Sequence, residues 1–153
     1  MLRYDAVTGS FIDVFASGSG LTVAAGMTYG PDGHLYVASA GSHSILRFNG
    51  TSGAFLDVFV APFSGGLQSP MGLEFGPDGQ FYVASATTHQ VLRYDETTGA
   101  FIDAFVTAGD GGLETPIGIQ FMVAVPEPSG LALLGLAVLG AALGRRCRFR
   151  RRR

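Results

Sequence analysis

From Met1 to Phe121 the apolar residues fall in short bursts, several alternating with polar positions, and no helical period connects them. Between Gly72 and Phe105 the bursts are GLEF (Gly72 to Phe75), QFYVAS (Gln80 to Ser85), QVLRYD (Gln90 to Asp95) and AFIDAF (Ala100 to Phe105). Val, Ile, Phe and Tyr dominate them, and such side chains fit a pleated, half-buried surface. Gly, Pro, Asp, Ser and Thr fill the gaps, where turns need them. In GPDG the proline holds φ near about −65° and the glycine accepts a positive φ, so this tetrapeptide predicts a tight strand connection. Four antiparallel strands are therefore predicted for this stretch.

The same pattern recurs. LRYDAVTGSFIDVF begins at Leu2, LRFNGTSGAFLDVF at Leu46 and LRYDETTGAFIDAF at Leu92, offsets of 44 and 46 residues. GPDGHLYVASAGSHSI from Gly30 and GPDGQFYVASATTHQV from Gly76 are again 46 apart. PMGLEF from Pro70 returns as PIGIQF from Pro116, with GMTY from Gly26 as a fainter first copy. Four strands in a period of about 45 residues match one blade of a β-propeller. The expected fold is all-β, about 2.5–3 four-stranded blades. Full blades are expected over 26–60 and 70–106, with partial blades over 1–15 and 116–121. The leftover strands are candidates to join and close a ring, but the composite blade would lack its second strand. Three blades also fall below the usual four to eight. Residues 1–25 hold no apolar stretch of signal-peptide length. The expectation is an incomplete propeller, from either a truncated reading frame or two chains that close a six-bladed ring as a homodimer.

The pattern P-x-G-[hydrophobic]-x-F-G-P-D-G-x-[LF]-Y-V-A-S, followed by [IV]-L-R-[FY], resembles the NHL-type propeller repeat. That repeat lies within a broader group that includes streptogramin lyases and gluconolactonase-like proteins. The resemblance covers roughly residues 1–121 and implies the fold; activity does not follow, because propellers host many functions. The chain has no tryptophan, which argues against the WD type.

Charge divides the 153 residues in two. Up to Ala124 three arginines face eleven acidic residues, a net of −8, whereas from Val125 seven arginines face Glu127 alone, a net of +6. An acidic body excludes nucleic acid as a partner, since phosphate binding requires clustered cations. The single Cys147 excludes an internal disulfide, and no Cys/His spacing indicates zinc.

Candidate chemistry in the body is sparse. Asp13, Asp57 and Asp103 recur in equivalent outer strands, which fits a folding device repeated with its environment. His43 and His89 are equivalent residues of Ser/Thr-rich turns, and His34 is replaced by Gln80 in the other copy. Glu74 is the one channel candidate, because first strands line a propeller's centre, and gluconolactonase-like enzymes hold a divalent metal with such side chains. Its equivalents are Thr28 and Gln120, and one carboxylate is too few for calcium or magnesium. Asp110 and Glu114 have no acidic counterparts in the matching loop, APFSGGLQ. Nucleophile and phosphate-loop motifs are lacking. No catalytic residue, cofactor or metal is expected.

The ending differs from the body. Val125, Pro126, Glu127, Pro128 and Ser129 precede fifteen uncharged residues, Gly130 to Gly144. As a helix these span about 22 Å, short of the ~30 Å hydrocarbon layer, although flanking arginines can snorkel. A transmembrane helix over 130–144 is expected, after a linker over 122–129. The cluster of Arg145, Arg146, Arg148, Arg150, Arg151, Arg152 and Arg153 is expected to stay cytoplasmic, with the acidic body across the membrane. This order of motif, apolar segment and basic end closely resembles the PEP-CTERM sorting signal. The resemblance implies recognition by an exosortase-type membrane transpeptidase in a Gram-negative envelope, cleavage near the motif and delivery to the cell surface. The prolines keep the motif extended and open to a protease. The resulting expectation is a membrane-anchored precursor of a surface or extracellular protein. Its partners would be the exosortase, membrane lipid, and extracellular polysaccharide or protein, and its role non-catalytic binding or assembly. A metal-dependent lyase or lactonase, and a non-functional truncated fragment, are the alternatives.

Overall fold

The computed structural model describes residues 1–122 of the chain. The V-P-E-P-S motif, the transmembrane segment expected over 130–144 and the arginine cluster lie outside the described residues. Two four-stranded antiparallel sheets and one two-stranded sheet make up the described residues. Strands β1 (Leu2–Tyr4) and β2 (Phe11–Val14) form the short sheet. Strands β3 (Ala24–Tyr29), β4 (Leu35–Ser39), β5 (Ser44–Phe48) and β6 (Phe55–Val60) form the first full sheet, each pairing with the next. Strands β7 (Pro70–Phe75), β8 (Phe81–Ser85), β9 (Gln90–Tyr94) and β10 (Phe101–Val106) repeat that arrangement.

Why these residues form sheets that stack is clearest in β4 and β8. Both are buried along their whole length. Side chains alternate between faces of a strand, so LYVAS sends Tyr36 and Ala38 into one core and Leu35 and Val37 into another. The first core lies between the full sheets, where Tyr36, Ile45 and Phe59 pack with Leu73, Phe81 and Leu92. In the second core, Leu35, Val37, Leu46 and Phe48 pack with Ala16 and half-buried Phe15, from the segment after β2. Each large side chain withdrawn from water contributes roughly 1.5–3 kcal/mol. No sheet can collect that contribution on both faces without a neighbour on each side.

The inner strands approach closely enough to require glycine. A Cβ on Gly26 of β3 would strike the carbonyl of Met71, and one on Gly72 of β7 would lie 2.7 Å from the Cα of Gly118. Gly26, Gly72 and Gly118 thus recur at 46-residue intervals as points of backbone contact.

The innermost strand expected over 116–121 is not formed as a strand. It has no ladder partner among the described residues, and a strand requires a hydrogen-bonded neighbour. Its place is nonetheless that of an inner strand, with Gly118 against Gly72 and the Phe121 ring 4.8 Å from that of Tyr82. The turn before it, Asp110–Gly112, repeats the turn Ser64–Gly66, and in each the following leucine donates its N–H to the first residue's carbonyl. At the other end Phe15, just after β2, packs against Gly53 in the turn between β5 and β6. The two partial elements therefore lie against different sheets and do not join each other. Among the described residues no helix is long and apolar enough to cross a membrane.

These contacts set a stability test. Gly72→Ala is expected to cost roughly 1–3 kcal/mol, because the new methyl meets backbone that cannot rotate aside. Gly118→Ala, with nothing within 4 Å of the added carbon, is expected to stay within about 0.5 kcal/mol. Urea unfolding of both variants checks the pair; equal losses would show that the close approach is not limiting.

Candidate functional site

All three arginines of the described residues make the same contact. Arg47 donates from Nε to Asp57 Oδ1 at 3.1 Å and from Nη2 to Oδ2, and Arg93 makes the same fork to Asp103. Arg3 repeats it with Asp13, its Nε–Oδ1 distance being 2.9 Å. The register of β5 with β6 sets Arg47 opposite Asp57, and that of β9 with β10 sets Arg93 opposite Asp103. Each guanidinium also covers an aromatic ring, Phe15, Phe59 or Phe105. The hydroxyls of Tyr36 and Tyr82 donate to Asp32 and Asp78 of the GPDG turns at 2.9 and 2.8 Å. The recurrent aspartates are thus fork partners of recurrent arginines. The constant spacing of ten residues within each Arg–Asp pair was the sequence signal for this, and the reading of the aspartates alone missed it.

Electrostatics follow the contacts. The hydrogen bond to Asp57 pushes the Arg47 guanidinium above its ordinary value, as Asp103 does for Arg93. The fork from Arg3 holds the Asp13 carboxyl below the usual range. Burial pushes Asp32 up, but the His34 N–H and the Tyr36 hydroxyl outweigh it, and the net shift is downward. None of these groups is tuned toward neutral pH, as a general acid or base would be.

The equivalent histidines join neighbouring blades. His43 Nδ1 accepts the N–H of Ser69 at 3.0 Å, and His89 Nδ1 accepts that of Thr115 at 2.9 Å. Ser69 and Thr115 have positive φ (47° and 46°) and directly precede Pro70 and Pro116. The acceptor therefore holds a backbone that β-branched Thr115 rarely adopts. The sequence placed both histidines in Ser/Thr-rich turns; the partner N–H lies 26 residues away and leaves no local signal.

Glu74 is half-buried on β7, opposite Tyr82. Leu73 and Phe75 face the first full sheet, while the Glu74 carboxylate turns to the other side and accepts the N–H of Phe121 at 3.3 Å. Its equivalents Thr28 and Gln120 bring no further carboxylate. No group of three or more His, Cys, Asp or Glu residues placed to hold a metal occurs among the described residues. The buried hydroxyls of Ser39 and Ser85 accept the N–H groups of Thr22 and Gln68, each at 2.9 Å, so they anchor the chain entering each blade.

The sequence matches no protein-family model and no curated protein. Among solved structures, hydrazine synthase from Kuenenia stuttgartiensis is similar with a TM-score of 0.52 and 20% identity, over 71% of this chain and 29% of that one. A catalytically inactive virginiamycin B lyase from Staphylococcus aureus, solved with quinupristin, gives a TM-score of 0.51 and 15% identity, over 74% and 36%. The chain spans about a third of the length of these structures. The lyase is a β-propeller, and the sheets described above fit propeller blades. The class is therefore an all-β chain of propeller blades; the likeness speaks to the fold and not to an activity.

The outer hairpins provide a pH test. Asp95 Oδ1 accepts from the hydroxyl of Thr98 and the N–H groups of Thr97 and Thr98, and Asp5 does the same in the first copy. Asn49 makes equivalent contacts without a charge. Bonds from Thr98 hold the Asp95 carboxyl below its ordinary 3.8, and bonds from Thr8 do so for Asp5. A depressed folded-state pKa gives stability that is present above the unfolded value and lost as pH falls through the folded one. The melting temperature is therefore expected to fall as pH drops below about 4. Asp95→Asn should match the parent at pH 7 and lose less on acidification, while Asp95→Ala should be weaker at pH 7. Thermal melts between pH 7 and pH 2.5 check this; an acid slope unchanged in Asp95→Asn counts against it.

Proposed function

We propose that the chain is an exported propeller protein of the NHL-repeat type, sorted to the surface of a Gram-negative cell by a PEP-CTERM signal. The carrying observation is the ordered ending: Val125-Pro126-Glu127-Pro128-Ser129, the uncharged segment Gly130 to Gly144, then seven arginines. An exosortase-type transpeptidase is the partner this ending fits. The precursor sits in membrane lipid through residues 130–144, with its basic end cytoplasmic. After cleavage the body serves as a non-catalytic binding or structural component of the envelope or extracellular matrix, next to polysaccharide or protein.

The non-catalytic assignment is supported by how the body uses its reactive groups. The Arg–Asp forks, the histidine acceptors and the Glu74 carboxylate are all engaged with the chain itself. A metal-dependent lyase or lactonase needs several oxygen ligands converging on one point, and Glu74 has no acidic companion among its repeat equivalents. Metal-dependent lactone turnover by the full chain, abolished by Glu74→Gln, would overturn this assignment.

Sorting has its own test. Mass spectrometry of protein recovered from the cell surface is expected to lack peptides beyond about Gly130, and deleting the exosortase should retain them. An intact arginine end on surface material overturns the processing step.

A further inference from the structure

Asn49 is the only asparagine among the 153 residues, and Gly50 follows it. It opens the turn between β5 and β6, at the place held by Asp5 and Asp95 in the other copies, where Ala6 and Glu96 follow. The Asn49 N–H donates to the carbonyl of Ala54, and the Asn49 carbonyl accepts the N–H of Gly53, each at 2.8 Å. The side-chain Oδ1 accepts the N–H groups of Thr51 and Ser52 at 3.0 and 2.8 Å, and the Ser52 hydroxyl at 3.0 Å. Backbone N–H groups can only donate, so the side-chain atom they meet is the amide oxygen.

This arrangement can carry a reaction as well as a turn. The backbone nitrogen after an asparagine can attack the side-chain Cγ, and a following glycine leaves that approach unhindered and its own backbone free to rotate. The Gly50 N–H donates no hydrogen bond among the described residues, so this nitrogen is free to react. Attack at Cγ gathers negative charge on Oδ1, and donors held about 2.7–3.1 Å from such an oxygen stabilise it. All three donors to Asn49 Oδ1 lie in that range. Packing also retains the glycine, because a Cβ on Gly50 would strike the carbonyl of Gly33. Thr51 and Ser52 are exposed and Asn49 is half-buried, so water reaches the turn.

We propose that Asn49 is a self-modification site, at which the turn converts its asparagine to aspartate. The Gly50 nitrogen gives its proton to water and bonds to Cγ, the Cγ–Nδ2 bond breaks, and ammonia leaves behind a succinimide. Water then adds to a ring carbonyl and opens the ring; in sum, amide and water give carboxylate and ammonium. Opening at the main-chain carbonyl would route the chain through Cβ and Cγ, lengthening it between the groups bonded to Ala54 and Gly53. Opening at Cγ keeps both bonds, so the fold favours aspartate over isoaspartate. The product has a ready place, since the same turn in the other copies holds Asp5 and Asp95 with equivalent donors. Bonds from Thr8 and Thr98 hold those carboxyls below their ordinary value.

The test follows freshly purified full chain in detergent at pH 7 by peptide mass mapping. The free peptide RFNGTSGAF, the sequence of residues 47–55, serves as the clock. Conversion to the acid is expected at Asn49, with aspartate as the main product, while Gln68, Gln80, Gln90 and Gln120 stay amides. Asn49→Gln, which would need a larger ring, should abolish the mass gain. Ser52→Ala removes one donor and keeps Gly50, so it should slow conversion several-fold with an unchanged circular dichroism spectrum. Asn49→Asp should keep the parent's melting temperature at pH 7. An intact Asn49 after the free peptide has converted overturns the proposal, as does isoaspartate as the main product. So does an unchanged or faster rate in Ser52→Ala, or a marked loss of melting temperature in Asn49→Asp. A sugar on Asn49, which with Thr51 also forms an Asn-x-Thr acceptor, would overturn it by consuming the leaving amide.

Discussion

A strand that is apolar on both faces cannot be satisfied by its own sheet. This is the condition that β4 and β8 impose, since every residue in each is buried. Hydrogen bonds within the sheet fix the strand's edges but do nothing for its faces, and only a neighbouring blade can cover those. The interlocked aromatic rings Tyr36, Phe59, Phe75 and Phe81 are the product of this demand. Stability in such a chain is a sum over interfaces between units, so each blade is only as stable as its neighbours allow.

Polar groups serve the same end at the rim. Strands at the outside of a blade have one edge in water, where a flat apolar strand would recruit other chains. The fourth strands place Asp57 and Asp103 there, each forked by an arginine from the strand before. Irregularities in register between β5 and β6, and between β9 and β10, bend the same outer strands. Charge and curvature together close the outer edge to uncontrolled pairing.

Much of this was legible in the sequence because repetition makes local signals redundant. The bursts FYVAS, QVLRY and AFIDAF mark strands found within a residue or two of the predicted bounds. The lone inner segment PIGIQF was misread as a strand, because a run of residues specifies conformation while a ladder also needs a partner. The Arg–Asp forks required comparing two positions within each repeat, and the aspartates alone suggested only a repeated folding device. The histidine acceptors were invisible, since the N–H they serve belongs to the next blade, and nothing near His43 or His89 announces it. Glu74 was legible as an inner-strand carboxylate, but its side of the strand is set by alternation from Leu73 and Phe75. The proposed sorting signal, in contrast, rests on composition and order alone.

The joint between the two full blades and the joint between the second blade and residues 110–121 are built from the same parts. Each has a histidine acceptor, a positive-φ residue before proline and an inner-strand glycine, all displaced by 46 residues. A genetic crossover between two copies, shifted by one period, would therefore splice donor to acceptor and glycine to backbone without a mismatch. Blade number in such a gene can change by unequal recombination in single steps, with every new junction already compatible. The chain carries the means of its own lengthening and shortening at the level of the DNA that encodes it.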